Sequence, residues 1–167
     1  VAMNILEYAI MDAPGAPLKK ALVDAGIGED VFASFDDGIR QTIFSIVARN
    51  ANMSDKERFV SVIRDTLSDL SGHGEEGKAI DRTSIEAAIN NFEFKHKEAN
   101  FGRFPKGLMM GLDAFNTWLY DDASALEMFK LNEVYDELKE SLKTGYFEEL
   151  IRRYFLDNTH VAIITAI

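Results

Sequence analysis

The chain contains no cysteine. That absence removes disulfides, thiolate nucleophiles and every cysteine-based zinc site from consideration. Positive charge is also scarce: 18 Lys and Arg stand against 28 Asp and Glu, a formal net charge of −10. Non-specific nucleic-acid binding and adhesion to anionic membranes both need basic surface, so no nucleic acid and no membrane is expected as a partner. An acidic surface suits cationic partners instead. No apolar run approaches the ~20 residues of a membrane-spanning helix. Residues 1–11 are apolar but carry Asn4 and Glu7 and lack a basic leader. The reading is therefore no secretory signal and a cytoplasmic location. What is present is ordinary for a globular protein: 167 residues, 47% hydrophobic, enough for one domain with a core.

Residues 30–52 stand out as the organising stretch. Val31, Phe32 and Phe35 precede Asp36-Asp37-Gly38, and Ile43, Phe44, Ile46 and Val47 follow it. Aromatic and β-branched runs on either side of an Asp-Gly turn predict a β-hairpin, the floor for the helices. Adjacent apolar positions in the second run predict a strand covered on both faces.

Elsewhere the period is helical. Helices are expected over 1–11 and from Pro17 to a stop at Gly26. Ser54 and Glu57 read as a capping box opening a helix with Phe59, Val62, Ile63, Thr66, Leu67 and Leu70 inward. A long helix over 81–100 follows a loop at 72–79. Pro105 opens another, bearing Leu108, Leu112, Phe115 and Leu119, with Phe115, Trp118 and Tyr120 read as core. Ser124 and Glu127 form a second capping box, ahead of a helix through Val134, Leu138 and Leu142 to Gly145. A last helix over 146–156 turns Phe147, Leu150, Ile151, Tyr154 and Phe155 inward. Residues 160–167 read as an apolar strand returning to the sheet beside the hairpin. The fold class is α+β, a helix-rich layer on a mostly antiparallel sheet made of the hairpin plus the C-terminal strand. Val1 falls inside a helical period and Ile167 inside a strand, which reads as an excised segment of a longer chain. Apolar ends of this kind favour self-association of the isolated piece.

Chemistry-bearing residues are few. His73-Gly74-Glu75-Glu76-Gly77 has four positions of His-x-x-Glu-His, but Gly77 stands where the second histidine belongs. His96 lies on an apolar helix face and reads as a core residue, and His160 as structural or exposed. The pairs Asp36-Asp37, Glu75-Glu76, Asp121-Asp122 and Glu148-Glu149 read as turns, caps or solvated faces. No phosphate-cradling Gly-rich loop and no Gly-x-Ser-x-Gly elbow is present. By itself the chain reads as non-catalytic, with no catalytic residue and no metal ligand set.

Several blocks nevertheless carry a resemblance. They are Asp12-Ala13-Pro14-Gly15-Ala16-Pro17-Leu18-Lys19-Lys20-Ala21-Leu22, the stretch from Phe35 to Ala51, and Phe101-Gly102-Arg103-Phe104-Pro105-Lys106-Gly107-Leu108-Met109. Trp118-Leu119-Tyr120-Asp121, Thr144-Gly145-Tyr146-Phe147-Glu148-Glu149-Leu150-Ile151 and Leu156-Asp157-Asn158-Thr159-His160 complete the set. In this order they resemble the presequence-protease branch of the pitrilysin/insulinase-type zinc metallopeptidases. The resemblance implies two halves closing around a chamber, each half made of two α/β domains. It matches this chain to most of the second domain of the first half. Zinc, its His-x-x-Glu-His motif and the general base would then lie upstream, outside this segment. The partners implied are the rest of the parent polypeptide and peptide substrates. In relatives a strand of this domain anchors the substrate's amino end, and that strand corresponds to Phe32, Ala33, Ser34, Phe35 and Asp36, with Asp37 beside it. The alternative is a stand-alone acidic binding or scaffolding module with no enzymatic role.

Overall fold

A computed structural model describes residues 1–74 and 79–166, the side chain of Met128 excepted. The centre of the molecule is its first 27 residues. Helix α1 (Ala2–Glu7) passes into a π-helical turn, Tyr8–Asp12, and after the Pro14-Gly15 break α2 (Pro17–Asp24) begins with proline in its first turn. Proline fits there because the first-turn N–H groups lack intrahelical partners. Ile5, Leu6, Ile10, Met11, Leu18 and Leu22 are all fully buried. Helix α2 closes on Gly26 at φ +67, with Ile27 N donating to Leu22 O at 3.2 Å and Gly26 N to Val23 O at 2.9 Å.

The hairpin follows as β1 (Asp30–Asp36) and β2 (Ile43–Arg49), antiparallel, in the register Asp30↔Arg49 to Asp36↔Ile43. Period-2 alternation assigns Val31, Ala33 and Phe35, with Phe44, Ile46 and Ala48 opposite, to one face. Of the hairpin's residues only Val31 is fully withdrawn from solvent, while Ala33, Phe44, Ile46 and Ala48 pack on the core from its edge. Two expectations are corrected here. The hairpin is a flank of the core and not its floor, because the apolar density lies in residues 1–27. And β2 is covered on one face only: Ile43 and Val47 on the other face are exposed.

Helix α3 (Lys56–Leu70) lays Leu67 and Leu70 into the core, and α4 (Arg82–Glu98) adds Ile85, Ala88 and Ile89. Asp81 caps α4, accepting from Thr83 N at 3.3 Å and Ser84 N at 3.0 Å. Glu93 of α4 takes both Lys97 and Lys139, the latter from α6 (Leu131–Ser141). Helix α7 (Tyr146–Ile151) buries Phe147 and Ile151 and runs into a second π-helical turn, Arg152–Leu156. Between α4 and α6, α5 (Lys106–Trp118) and two 3₁₀ turns, Asp122–Ser124 and Glu127–Lys130, form an excursion in which no described side chain is buried.

The α+β class holds, helices around a two-stranded antiparallel sheet, but other expectations are overturned. Residues 158–166 form no strand: Val161, Ile163 and Ile164 stand exposed at 62, 53 and 89%. β-Branched composition favours a strand only where an edge and a covering face receive it. Neither capping box forms. A 3₁₀ turn, Met53–Asp55, moves the start of α3 past Ser54, and the Ser124 hydroxyl donates to Asp121 at 2.6 Å. Phe115, Trp118 and Tyr120 are exposed at 50, 49 and 51%, and Tyr154 at 46%, because no element of the described chain packs over them. Part of the predicted 72–79 loop, residues 75–78, lies outside the described residues; its ends pair as a bridge between Ser71 and Ala79.

Candidate functional site

The six candidate residues lie along β1 and its exit. Ala33 and Phe35 take the core face, and Phe32, Ser34 and Asp36 the outer one. Arg49, diagonal to Phe32 across the ladder, places its guanidinium 4.8 Å from that ring's centroid. Phe35 sits 6.3 Å from Phe44, which meets Phe155 edge-on at 4.7 Å and so ties the hairpin to the π-helical turn after α7. Among the described residues no third strand pairs with either strand. An antiparallel strand directs alternate N–H and C=O groups outward, so β1 keeps a row of backbone donors and acceptors outside the ladder.

The two acids at the exit are held differently. Asp36 Oδ1 accepts from Gly38 N at 3.1 Å, an Asx turn that starts the loop. Asp37 Oδ2 accepts from Asn4 Nδ2 at 2.8 Å and fastens the loop to α1. The connection is six residues, 37–42, and Gly38 has an ordinary negative-side backbone conformation. This is no two-residue Asp-Gly turn of the type that needs positive φ. The longer loop reaches α5: a cleft of about 280 Å³ is lined by Asp37, Ile39 and Arg40 on one side and Asn116, Tyr120 and Asp121 on the other. Sequence reasoning missed this cleft, since its walls are about 80 residues apart.

Elsewhere several titratable groups have local partners. His73 Nδ1 lies 3.0 Å from Ser71 O, the His96 ring is tilted against Tyr135 with centroids 6.0 Å apart, and His160 is exposed near the end of the chain. Asp121 accepts from Ser124 Oγ and from Ala123 N, bonds that hold its carboxyl below the usual range. Asp122 accepts from Trp118 Nε1 at 2.9 Å. Glu149 takes a two-pronged contact from Arg152 at 2.9 and 2.6 Å, and that hydrogen bonding lowers its pKa. Glu75, Glu76 and Gly77 of the partial His-x-x-Glu-His run lie outside the described residues. Among the described residues no three His, Asp or Glu side chains converge to hold a metal ion, so the donor set does not fit zinc. No helix among them is long and apolar enough to cross a membrane.

The arrangement is a strand edge, unpaired among the described residues, beside two acids. Comparison with known proteins finds relatives along nearly the whole chain. A protein named HypA from Clostridium perfringens is 38% identical over 165 residues, 99% of this chain and 16% of that protein. Presequence protease 1 of Arabidopsis thaliana, chloroplastic/mitochondrial, is 32% identical over 165 residues, 96% of this chain and 15% of its own length. The chain is a presequence-protease relative. The mitochondrial presequence protease of Danio rerio agrees at 28% over 164 residues, 95% of the chain and 15% of that protein. No family model matches the chain. It spans about 15% of the length of the presequence proteases it matches, and the pitrilysin/insulinase-type resemblance seen in its motifs is borne out.

Proposed function

We propose that the chain is a non-catalytic part of an intracellular zinc metallopeptidase that degrades peptides in an enclosed chamber. It supplies chamber wall and, through Phe32, Ala33, Ser34, Phe35, Asp36 and Asp37, a distal anchor for the substrate. The observation that carries this reading is the β1 edge, unpaired among the described residues, in a chain similar along nearly its whole length to presequence proteases. A peptide added to such an edge gains affinity from its backbone and selectivity from alternate side chains. Zinc is then assigned to another part of the parent, since no three donors converge among the described residues. Among compartments we favour the cytoplasm; the eukaryotic relatives carry organelle names, whereas the bacterial one carries none.

The test is steady-state kinetics on the full-length protein with long and short basic peptides. Exposed charges contribute only ~0–1 kcal/mol each, so the acids tune affinity without creating it. Asp36→Asn with Asp37→Asn is expected to raise KM for long basic peptides at low salt and leave kcat nearly unchanged. Asparagine at 37 still accepts from Asn4, which keeps the loop in place. Ala33→Pro and Ser34→Pro separate fold from pairing, because consecutive residues point their N–H groups to opposite edges. One variant loosens the hairpin and the other removes only an outward donor. Unchanged KM in the charge variant and in the folded proline variant would rule out the anchor.

A further inference from the structure

Residues 101–130 leave the body of the molecule after Ala99 and rejoin it at Leu131. Several large apolar side chains of this excursion are open to solvent: Leu108 is 53% exposed, Leu112 51%, Phe115 50% and Leu119 72%. Their spacing of four, three and four residues puts them on one face of α5 and its C-cap. Trp118 stacks on Phe115 at 5.5 Å, at the edge of that face. Only Lys106 and Asp113 are charged along the helix. What α5 chiefly touches is the pair of 3₁₀ turns that follow it. Thr117 Oγ1 donates to Ser124 O at 2.9 Å and Trp118 Nε1 to Asp122 at 2.9 Å, so the excursion is tied to itself and rests on no core of its own.

Two features select what covers this face. A site for passing ligands has to keep its shape while empty, and a segment with no buried side chain among those described has little to hold it. An obligate interface, in contrast, is apolar like a core cut in half. And most of each presequence-protease relative lies outside the match, which covers only 15% of its length. Polypeptide joined to this chain meets the face at high effective concentration, an advantage no free partner has.

We infer that the α5 face, formed by Leu108, Leu112, Phe115 and Leu119 with Trp118 at its edge, is an intramolecular docking surface covered by parent polypeptide outside residues 1–167. This rests on the reading of the chain as part of a longer protease. Hydroxyl-radical footprinting of the full-length protein and of the 167-residue chain tests it, with Trp118, the only tryptophan of the chain, and Phe115 as reporters. Oxidation of both is expected to be severalfold slower in the full-length protein at every concentration. Equal rates in the two would overturn the inference. So would protection in the 167-residue chain that grows with its own concentration, which would assign the face to a second copy. Leu112→Asp with Phe115→Asp gives an independent reading: a lower melting temperature in the full-length protein and an unchanged one in the 167-residue chain. A shift of equal size in both would overturn it. Chelator-sensitive peptide cleavage, measured on the same full-length sample, reports separately on the protease reading. Protection without cleavage sinks that reading and keeps the docking face, and cleavage without protection does the reverse.

Discussion

Single carboxylates in this chain show how local contacts set the sign of a pH effect. Glu7, at the end of α1, is partly buried with Asp12 nearby across the π-helical turn, and burial first, then that charge, raises its pKa. A raised carboxyl binds its proton more tightly in the folded state, so the ionised form costs stability above the folded pKa. Glu7→Gln is therefore expected to raise the melting temperature at pH 7, the gain vanishing as the pH falls below the ordinary glutamate value of about 4.3. Asp81 is the opposite case. The Ser84 hydroxyl, then the Ser84 and Thr83 N–H groups, hold its carboxyl below the usual range. Its contribution is complete above the ordinary aspartate value of about 3.9 and is lost as the pH falls through the lower folded value. Asp81→Ala removes the cap of α4, with an expected cost of ~1 kcal/mol at pH 7. Denaturant titrations at pH 7 and pH 3 check this: the gap between wild type and variant should narrow in acid.

Among the elements, the hairpin shows most clearly what the sequence makes legible. Both strands fall where aromatic and β-branched runs place them, and their pairing follows. The turn type, the covered faces and the strand's neighbours did not follow, because each depends on residues distant in sequence. Asp37 bonds Asn4 and its loop meets Tyr120, contacts no local window contains. The candidate strand 32–36 was legible as a strand, whereas the absence of a third strand among the described residues required the sheet. The entry to the hairpin offers a sharper test. Gly28 has φ +70, and a Cβ there would stand 2.7 Å from Arg49 O. Glu29 N also donates to that carbonyl at 2.9 Å, so it cannot move freely. Gly28→Ala meets both left-handed strain and a backbone clash, and is expected to cost ~1–3 kcal/mol in equilibrium unfolding. A variant as stable as wild type would mean that the strand entry yields.

At the scale of the molecule, stability is divided unequally. The helical period located α1, α2, α4 and α7 and most of the side chains they bury, since inward stripes of Ile, Leu and Phe face one another there. The same period in α5 suggested core and was wrong, because amphipathicity says that a face needs cover and not where the cover comes from. Phe147 is fully buried among the core helices, while Leu112 is half exposed. Phe147→Ala leaves a cavity and is expected to cost ~3–5 kcal/mol. Leu112→Ala in the 167-residue chain changes little packed surface, and its effect should fall within ~0.5 kcal/mol. Native-state hydrogen exchange should map the same division without mutation. Amides of α4 and α7 should open only with global unfolding, and those of α5 through a local opening of much lower free energy. Denaturant dependence distinguishes the two, because a local opening exposes little new surface and its exchange hardly responds to denaturant. Protection in α5 equal to that in α4, with the same denaturant slope, would show that the excursion folds cooperatively with the core although none of its described side chains is buried.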